Sequence, residues 1–338
     1  MTLDFGNRIN NNSCTHSYVL LQFICFFCFY FLFYFLFFIF QMRFCLVEIL
    51  FIYTQIIHLI FLLCGIVAVA FVLLISIYLI LSGLPAIRQI GLFQFLLGKV
   101  WDPTNTTTGA QYGILPFILT SVYGTAGAIV IGVPVGLLTA VFLAKVAPPK
   151  LAAVIRTAVQ LLAGIPSVVY GLVGMIVLVP AIRNLFHLSS GACLLAAMIV
   201  LAIMILPSII NVSETALRAV PKEYEEASLA LGAAEMETYF RVSVHAARSG
   251  IAAAVVLGVG RAIGEAMAII LVAGNVSNMP GLFTPVRFLT TGIISGMAYA
   301  SVGSLYQQAL YSIGLVLFLF IMLINVFLNV CVKNRKEG

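Results

Sequence analysis

The sequence predicts an all-α integral membrane protein with about six transmembrane helices, and two observations carry that expectation. Of its 338 residues 63% are hydrophobic and 8% charged, with a mean hydropathy of +1.17, whereas a soluble domain carries about 25% charged residues. Five stretches also run free of charge for the roughly 20 residues a helix needs to cross a hydrocarbon core of about 30 Å. Within that core the backbone finds no water, so an internally bonded helix is the state such stretches adopt.

Residues 1–41 form a hydrophobic leader with two readings. Residues 25–40 are almost wholly Phe, Tyr, Leu, Cys and Ile after the cluster Asn10, Asn11 and Asn12. They are either a seventh helix or T-rich upstream DNA translated ahead of a true start at Met42. The leader lacks the basic start and small-residue cleavage site of a signal peptide. Residues 42–338 then make a single transmembrane domain. Its charge-free spans are 59–81, 120–144, 157–180, 192–210 and 309–332, and a sixth, 251–273, is equally apolar except for Arg261 and Glu265. Gly124, Gly127, Gly132, Pro134 and Gly136 in the second span favour close helix packing and local bends.

Basic residues orient the spans, because the retained side of a membrane protein is enriched in them. Lys145, Lys150 and Arg156 follow the second span, Arg218, Lys222, Arg241 and Arg248 the fourth, and Lys333, Arg335 and Lys336 the last. Arg88, Lys99, Arg183 and Arg287 lie in the opposite loops. The richer side is cytoplasmic, which places the C-terminus inside. The net charge of +6 is thereby absorbed by topology, and without a basic stripe it gives no reason to expect nucleic acid. The seven cysteines sit mostly in or beside apolar runs and read as small apolar residues. His58, His187 and His245 are isolated and give no metal-ligand spacing. Gly98-Lys99-Val100 lacks the Ser or Thr and the upstream glycine of a phosphate-cradling loop.

One segment is rich in acid. Glu214, Glu223, Glu225, Glu226, Glu235 and Glu237 all fall within 211–249, a cytoplasmic loop by the count above. Ser213 suits the N-cap of a short helix reaching Val220, Pro221 suits the first turn of the next, and Gly232 suits its C-terminal stop. Ala227, Ala230, Leu231 and Ala234 recur at helical spacing, giving an apolar face that a partner's groove can receive.

Residues 225–247, EEASLALGAAEMETYFRVSVHAA, resemble the EAA loop of ABC importer permeases, the coupling helix that docks on the ATPase. Glu226, Ala227 and Ser228 stand for Glu-Ala-Ala, with Gly232 four residues on. Ser228 replaces the second alanine, and Val244-His245 stands where the family has Leu-Pro. The segments LAGIPSVVYG (162–171), GVGRAIGEAMAIILVAGN (258–275) and MAYA (297–300), with Trp101-Asp102-Pro103 and YGILP (112–116), are similar to the phosphate permease of the PstC type. The likeness spans about 56–332.

That resemblance implies the type I ABC importer architecture and multi-pass insertion in the cytoplasmic (inner) membrane of a bacterium. It implies a second similar permease subunit, an ATP-binding cassette ATPase dimer and an extracytoplasmic phosphate-binding protein as partners. ATP and Mg would be bound by the ATPases, with no cofactor, metal or catalytic residue in this chain. The ATPase-coupling loop would use Glu225, Glu226, Ala227, Ser228, Leu231 and Gly232. Import of another oxyanion, such as sulfate, molybdate or phosphonate, is the alternative within the class, and an ion-coupled secondary transporter the alternative outside it.

Arg261 and Glu265 are four residues apart, which on an unbroken helix puts both on one face within pairing reach. Either charge near mid-bilayer costs about 2.5 to 3.5 kcal/mol, so both should face the bundle interior. Two roles follow. Arg261 lines the translocation path and offers a forked cation to an oxyanion while Glu265 holds it, or the two form a permanent brace. Glu265 is the one carboxylate expected at membrane depth, which leaves an intramembrane hydrolase without its second acid.

Overall fold

The computed structural model describes residues 54–105 and 109–334, with side chains to 326; the two readings of residues 1–41 lie outside the described residues. The chain divides into two compact units, 1–74 and 75–338. Helix α1 (Thr54–Ile90) supplies the described part of the first unit, where Phe61, Leu62, Phe71 and Leu74 are all exposed. That is the surface of a helix solvated by lipid rather than water.

In the second unit the short helix α2 (Leu92–Leu97) and the hairpin β1 (Trp101–Asp102) and β2 (Gln111–Tyr112) lead into α3 (Leu115–Val141). The two strands are antiparallel, with Trp101 opposite Tyr112. Helix α3 continues into a π-helical turn, Phe142–Val146. Then follow α4 (Pro149–Gly164), α5 (Ser167–Val173), a π turn (Gly174–Leu178), α6 (Val179–Leu185) and α7 (Leu194–Arg218). Two short helices, α8 (Lys222–Ala230) and α9 (Glu235–Thr238), precede a third π turn (Tyr239–Ser243) and α10 (Val244–Ala246). Helices α11 (Arg248–Gly264), α12 (Met267–Val272), α13 (Leu289–Met297) and α14 (Leu305–Asn334) complete the described chain. Among the described residues five helical stretches are long and apolar enough to cross a membrane, and a sixth counts if the bent pair Glu235–Ala246 and Arg248–Gly264, at 73°, is one span.

The core is the α3–α7 pair, and glycines let it close. Gly124, Gly127, Gly132 and Gly136 line one face of α3. A Cβ on Gly132 would stand 2.9 Å from Ile205, and one on Gly136 2.8 Å from Ile209, closer than van der Waals contact. The small-residue spacing read from the sequence is thus used as expected, with dispersion in place of the hydrophobic effect. Pro134 and Pro207 lie inside α3 and α7 without ending them. Gly132→Leu is expected to overpack this seam by about 1 to 3 kcal/mol and lower the melting temperature of the detergent-solubilised complex. Gly65→Leu, where nothing lies within 4 Å of a Cβ, should leave it unchanged.

Two expected spans are broken. The stretch 157–180 is not one helix: α4 ends at Gly164 and α5 begins at Ser167, because Pro166 removes an amide donor and pushes Ile165 into extended backbone (ψ 129). The Leu162 carbonyl at the break accepts from the Tyr170 hydroxyl at 2.6 Å and from the Ile165 N–H at 3.2 Å. The stretch 251–273 also breaks, at Glu265 (ψ 135), with no proline involved. Here the Glu265 carboxylate accepts from the Ala268 backbone N–H at 2.9 Å. The Thr290 hydroxyl donates to the Glu265 carbonyl at 2.7 Å. The second halves then meet: a Cβ on Gly171 of α5 would lie 2.8 Å from the Ala268 backbone of α12.

Ser213 caps nothing. Helix α7 runs through it to Arg218, and Ser213 is fully buried. The N-cap preference of serine is weak beside the packing of the turn that follows, where Glu214 is 4% and Leu217 0% exposed. The solvated module therefore begins after Arg218 rather than at 211.

Candidate functional site

Three features stand out, two of them at the end of the bundle where α3 finishes and the third farther along α11, beside Ser208 of α7. The first is α8, which buries no side chain. Pro221 sits at its N-cap, Glu223 and Glu225 in its first turn, as the helix dipole favours. Its C-terminal stop is Gly232 at φ +88, as expected: the Gly232 N–H donates to the Leu229 carbonyl at 2.9 Å. Leu231, just before it, is 91% exposed, and Tyr224, Leu229, Met236 and Phe240 are also exposed. Ala234 does not join the apolar face of α8, because the helix ends at Ala230 and Ala234 caps α9 instead. The Ser228 and Thr238 hydroxyls bond to each other at 2.9 Å, clasping α8 to α9, which is a reason for serine where the motif has alanine.

The two adjacent glutamates of α8 have different surroundings. Glu226 is exposed with Ala227. Glu225 turns inward: Lys145, in the π turn after α3, forms an ion pair with it, and the Ser243 hydroxyl donates to it at 2.8 Å.

The second feature is a carboxylate the sequence assigned to solvent. Glu214, 4% exposed, lies in the last turns of α7. It accepts from Arg218 Nε at 2.9 Å and from Arg156 of α4 through Nη2 at 2.6 Å. Arg218 Nη2 also reaches the Leu143 carbonyl at 3.2 Å, one of the carbonyls that a helix C-terminus leaves unpaired. Glu265 is therefore not the one carboxylate on a membrane-length helix. Lys145 and Arg156 are legible in the sequence only as topology markers, because their partners Glu225 and Glu214 lie far off in the chain and on other elements; only Arg218 and Glu214 have the i,i+4 spacing of one helix.

The third feature is Arg261. The break at Glu265 takes that carboxylate off the face of α11, so the expected i,i+4 pair does not form. Glu265 is committed to the first turn of α12, and the ion pairs among the described residues do not include Arg261. Its nearest polar contact is Nη1 to the Ser208 hydroxyl at 3.5 Å, too long for a strong hydrogen bond. Arg261 is a half-buried guanidinium on a bundle helix with its donors uncommitted.

Residues 132–335 match the family model for the binding-protein-dependent transport system inner membrane component. The chain is 39% identical over 269 residues to the probable ABC transporter permease protein YqgH of Bacillus subtilis, covering 78% of this chain and 86% of that one. It is 36% identical over 252 residues to the phosphate transport system permease protein PstC of Mesorhizobium japonicum, covering 69% and 76%. Among solved structures, the inward-facing MetNI methionine ABC transporter superposes with a TM-score of 0.52 at 20% identity, over 65% of this chain and 95% of that chain, a likeness of fold.

Proposed function

Because the chain belongs to the family of binding-protein-dependent transport system inner membrane components, we propose that it is the membrane-spanning subunit of an ATP-driven importer of inorganic phosphate. Its fold is that of a type I ABC importer permease. Membership of the family implies ATPase partners and a substrate-binding protein. A second similar permease subunit, ATP and Mg held by the ATPases, and a cytoplasmic C-terminus in a bacterial inner membrane complete the reading.

The observation that carries the substrate is Arg261. A guanidinium held by no carboxylate, on a helix whose lipid-facing side cannot accept a charge, is a fixed, forked donor set for a tetrahedral oxyanion. The PstC relative adds phosphate by name. In this reading ATP-driven closure of the ATPases moves α8, seated in their cleft by Leu231 and Glu226, and the cytoplasmic gate closes while substrate enters from outside. Glu265 keeps the α11–α12 break in shape beside Arg261.

The test is uptake of radiolabelled phosphate into proteoliposomes holding this chain with its co-purifying partners, ATP inside and binding protein outside. ATP-dependent accumulation supports the reading. Accumulation driven by an ion gradient without ATP would overturn the ABC mechanism, and preferential uptake of sulfate, molybdate or a phosphonate would replace the substrate.

A further inference from the structure

The arrangement around Lys145 reaches beyond docking. Three segments meet at the Glu225 carboxylate: α8 through Glu225 itself, the π turn Phe142–Val146 through Lys145, and the π turn Tyr239–Ser243 through Ser243. The Lys145 and Glu225 side chains are only 11% and 17% exposed, so water and salt screen their attraction less than that of a surface pair. Two residues before Lys145, the Leu143 carbonyl receives Arg218, and Arg218 shares Glu214 with Arg156 of α4. Leu143 is also buried in an apolar cluster with Ala152 and Val159 of α4 and Ile210 of α7. A single five-residue turn is thus fastened by its lysine to α8 and, by its backbone and one leucine, to α4 and α7.

We propose that this π turn receives the stroke of α8 and passes it to α4 and α7, with Lys145 as the positioning residue that makes the joint. The inference rests on the reading that α8 docks on the ATPase. It divides the two glutamates by role: exposed Glu226 faces the partner, and shielded Glu225 hands motion to the rest of the chain. A π turn suits the task, since its i→i+5 ring, closed here by the Ala147 N–H on the Phe142 carbonyl at 2.8 Å, is a wider turn set into an otherwise α-helical rod.

The experiment compares the reconstituted complex with Lys145→Met and Glu225→Gln, which keep side-chain length and shape, and with Lys145→Arg. Phosphate moved per ATP hydrolysed should fall about tenfold in the first two, within the range of an energetic coupling between sites, while ATP hydrolysis by Lys145→Met continues; Lys145→Arg should restore the ratio. An unchanged ratio in Lys145→Met, or a Lys145→Arg no better than it, overturns the proposal. A second readout needs no substrate. Spin labels at Lys150→Cys of α4 and Arg241→Cys of the third π turn, in a complex cleared of native cysteines, should keep one separation with and without ATP when Lys145 is present. They should drift apart on ATP in Lys145→Met. An identical nucleotide response in both would overturn the joint, whereas failure of the unaltered complex to take up phosphate would count against the substrate alone.

Discussion

Arg261→Gln is expected to abolish phosphate uptake by the reconstituted complex while the complex still assembles and purifies intact. The structure sharpens the reason. Had Arg261 and Glu265 formed the brace their spacing implies, loss of the arginine would leave an unpaired acid, and breaking a buried pair costs about 3 to 5 kcal/mol. The break in the fifth span removes that pairing: Glu265 already has the Ala268 amide, and the hydrogen-bond contact of Arg261 is Ser208 at 3.5 Å. Glutamine therefore removes the charge without orphaning a partner. Co-purification of the ATPases with the variant, followed by the uptake assay, checks both halves. Loss of assembly would return Arg261 to a structural role.

Gly232→Asp should uncouple transport, cutting ATP-driven uptake about tenfold or more, again within the range of a coupling free energy of about 1 to 3 kcal/mol. The glycine sits at φ +88, where a side chain costs about 1 to 2 kcal/mol. The new carboxylate would also stand at the negative end of α8, beside Leu231, the most exposed leucine of the docking face at 91%. Nothing lies within 4 Å of a Cβ there, so the bundle itself should fold as before. ATP hydrolysis and uptake measured on the same vesicles distinguish uncoupling from misfolding, in which both disappear.

Much of the architecture was legible because bilayer physics makes composition so informative. Most charge-free runs marked spans, Pro221 and Gly232 marked the ends of α8, and the glycines of the second span marked it for close packing. What was not legible depends on tertiary contacts. The break at Glu265 leaves no mark in hydropathy and has no proline; it is held by Thr290, 25 residues further on. The break at Ile165 did have a proline, and reading 157–180 as one helix gave hydropathy more weight than the lost amide. Ser213 and Glu214 looked like the start of a polar loop because their types favour caps and water, yet packing around Leu217 extends the helix past both. In α8, Glu225 and Glu226 are indistinguishable by sequence; only the fold, by carrying Lys145 and Ser243 to one of them, separates the two.

The hairpin at the opposite end has an optical consequence. Trp101 is the single tryptophan of the chain, 7% exposed, edge-on to Tyr112 at 5.6 Å, with Phe117 at 5.5 Å and Tyr306 at 6.2 Å. Those rings come from β2, α3 and α14, so the indole is the meeting point of three elements, and α3, 27 residues long, sets it about 40 Å of helical rise from the turn at Lys145. The chain therefore carries one indole, far from the turn at Lys145, whose emission answers to the packing of the hairpin end.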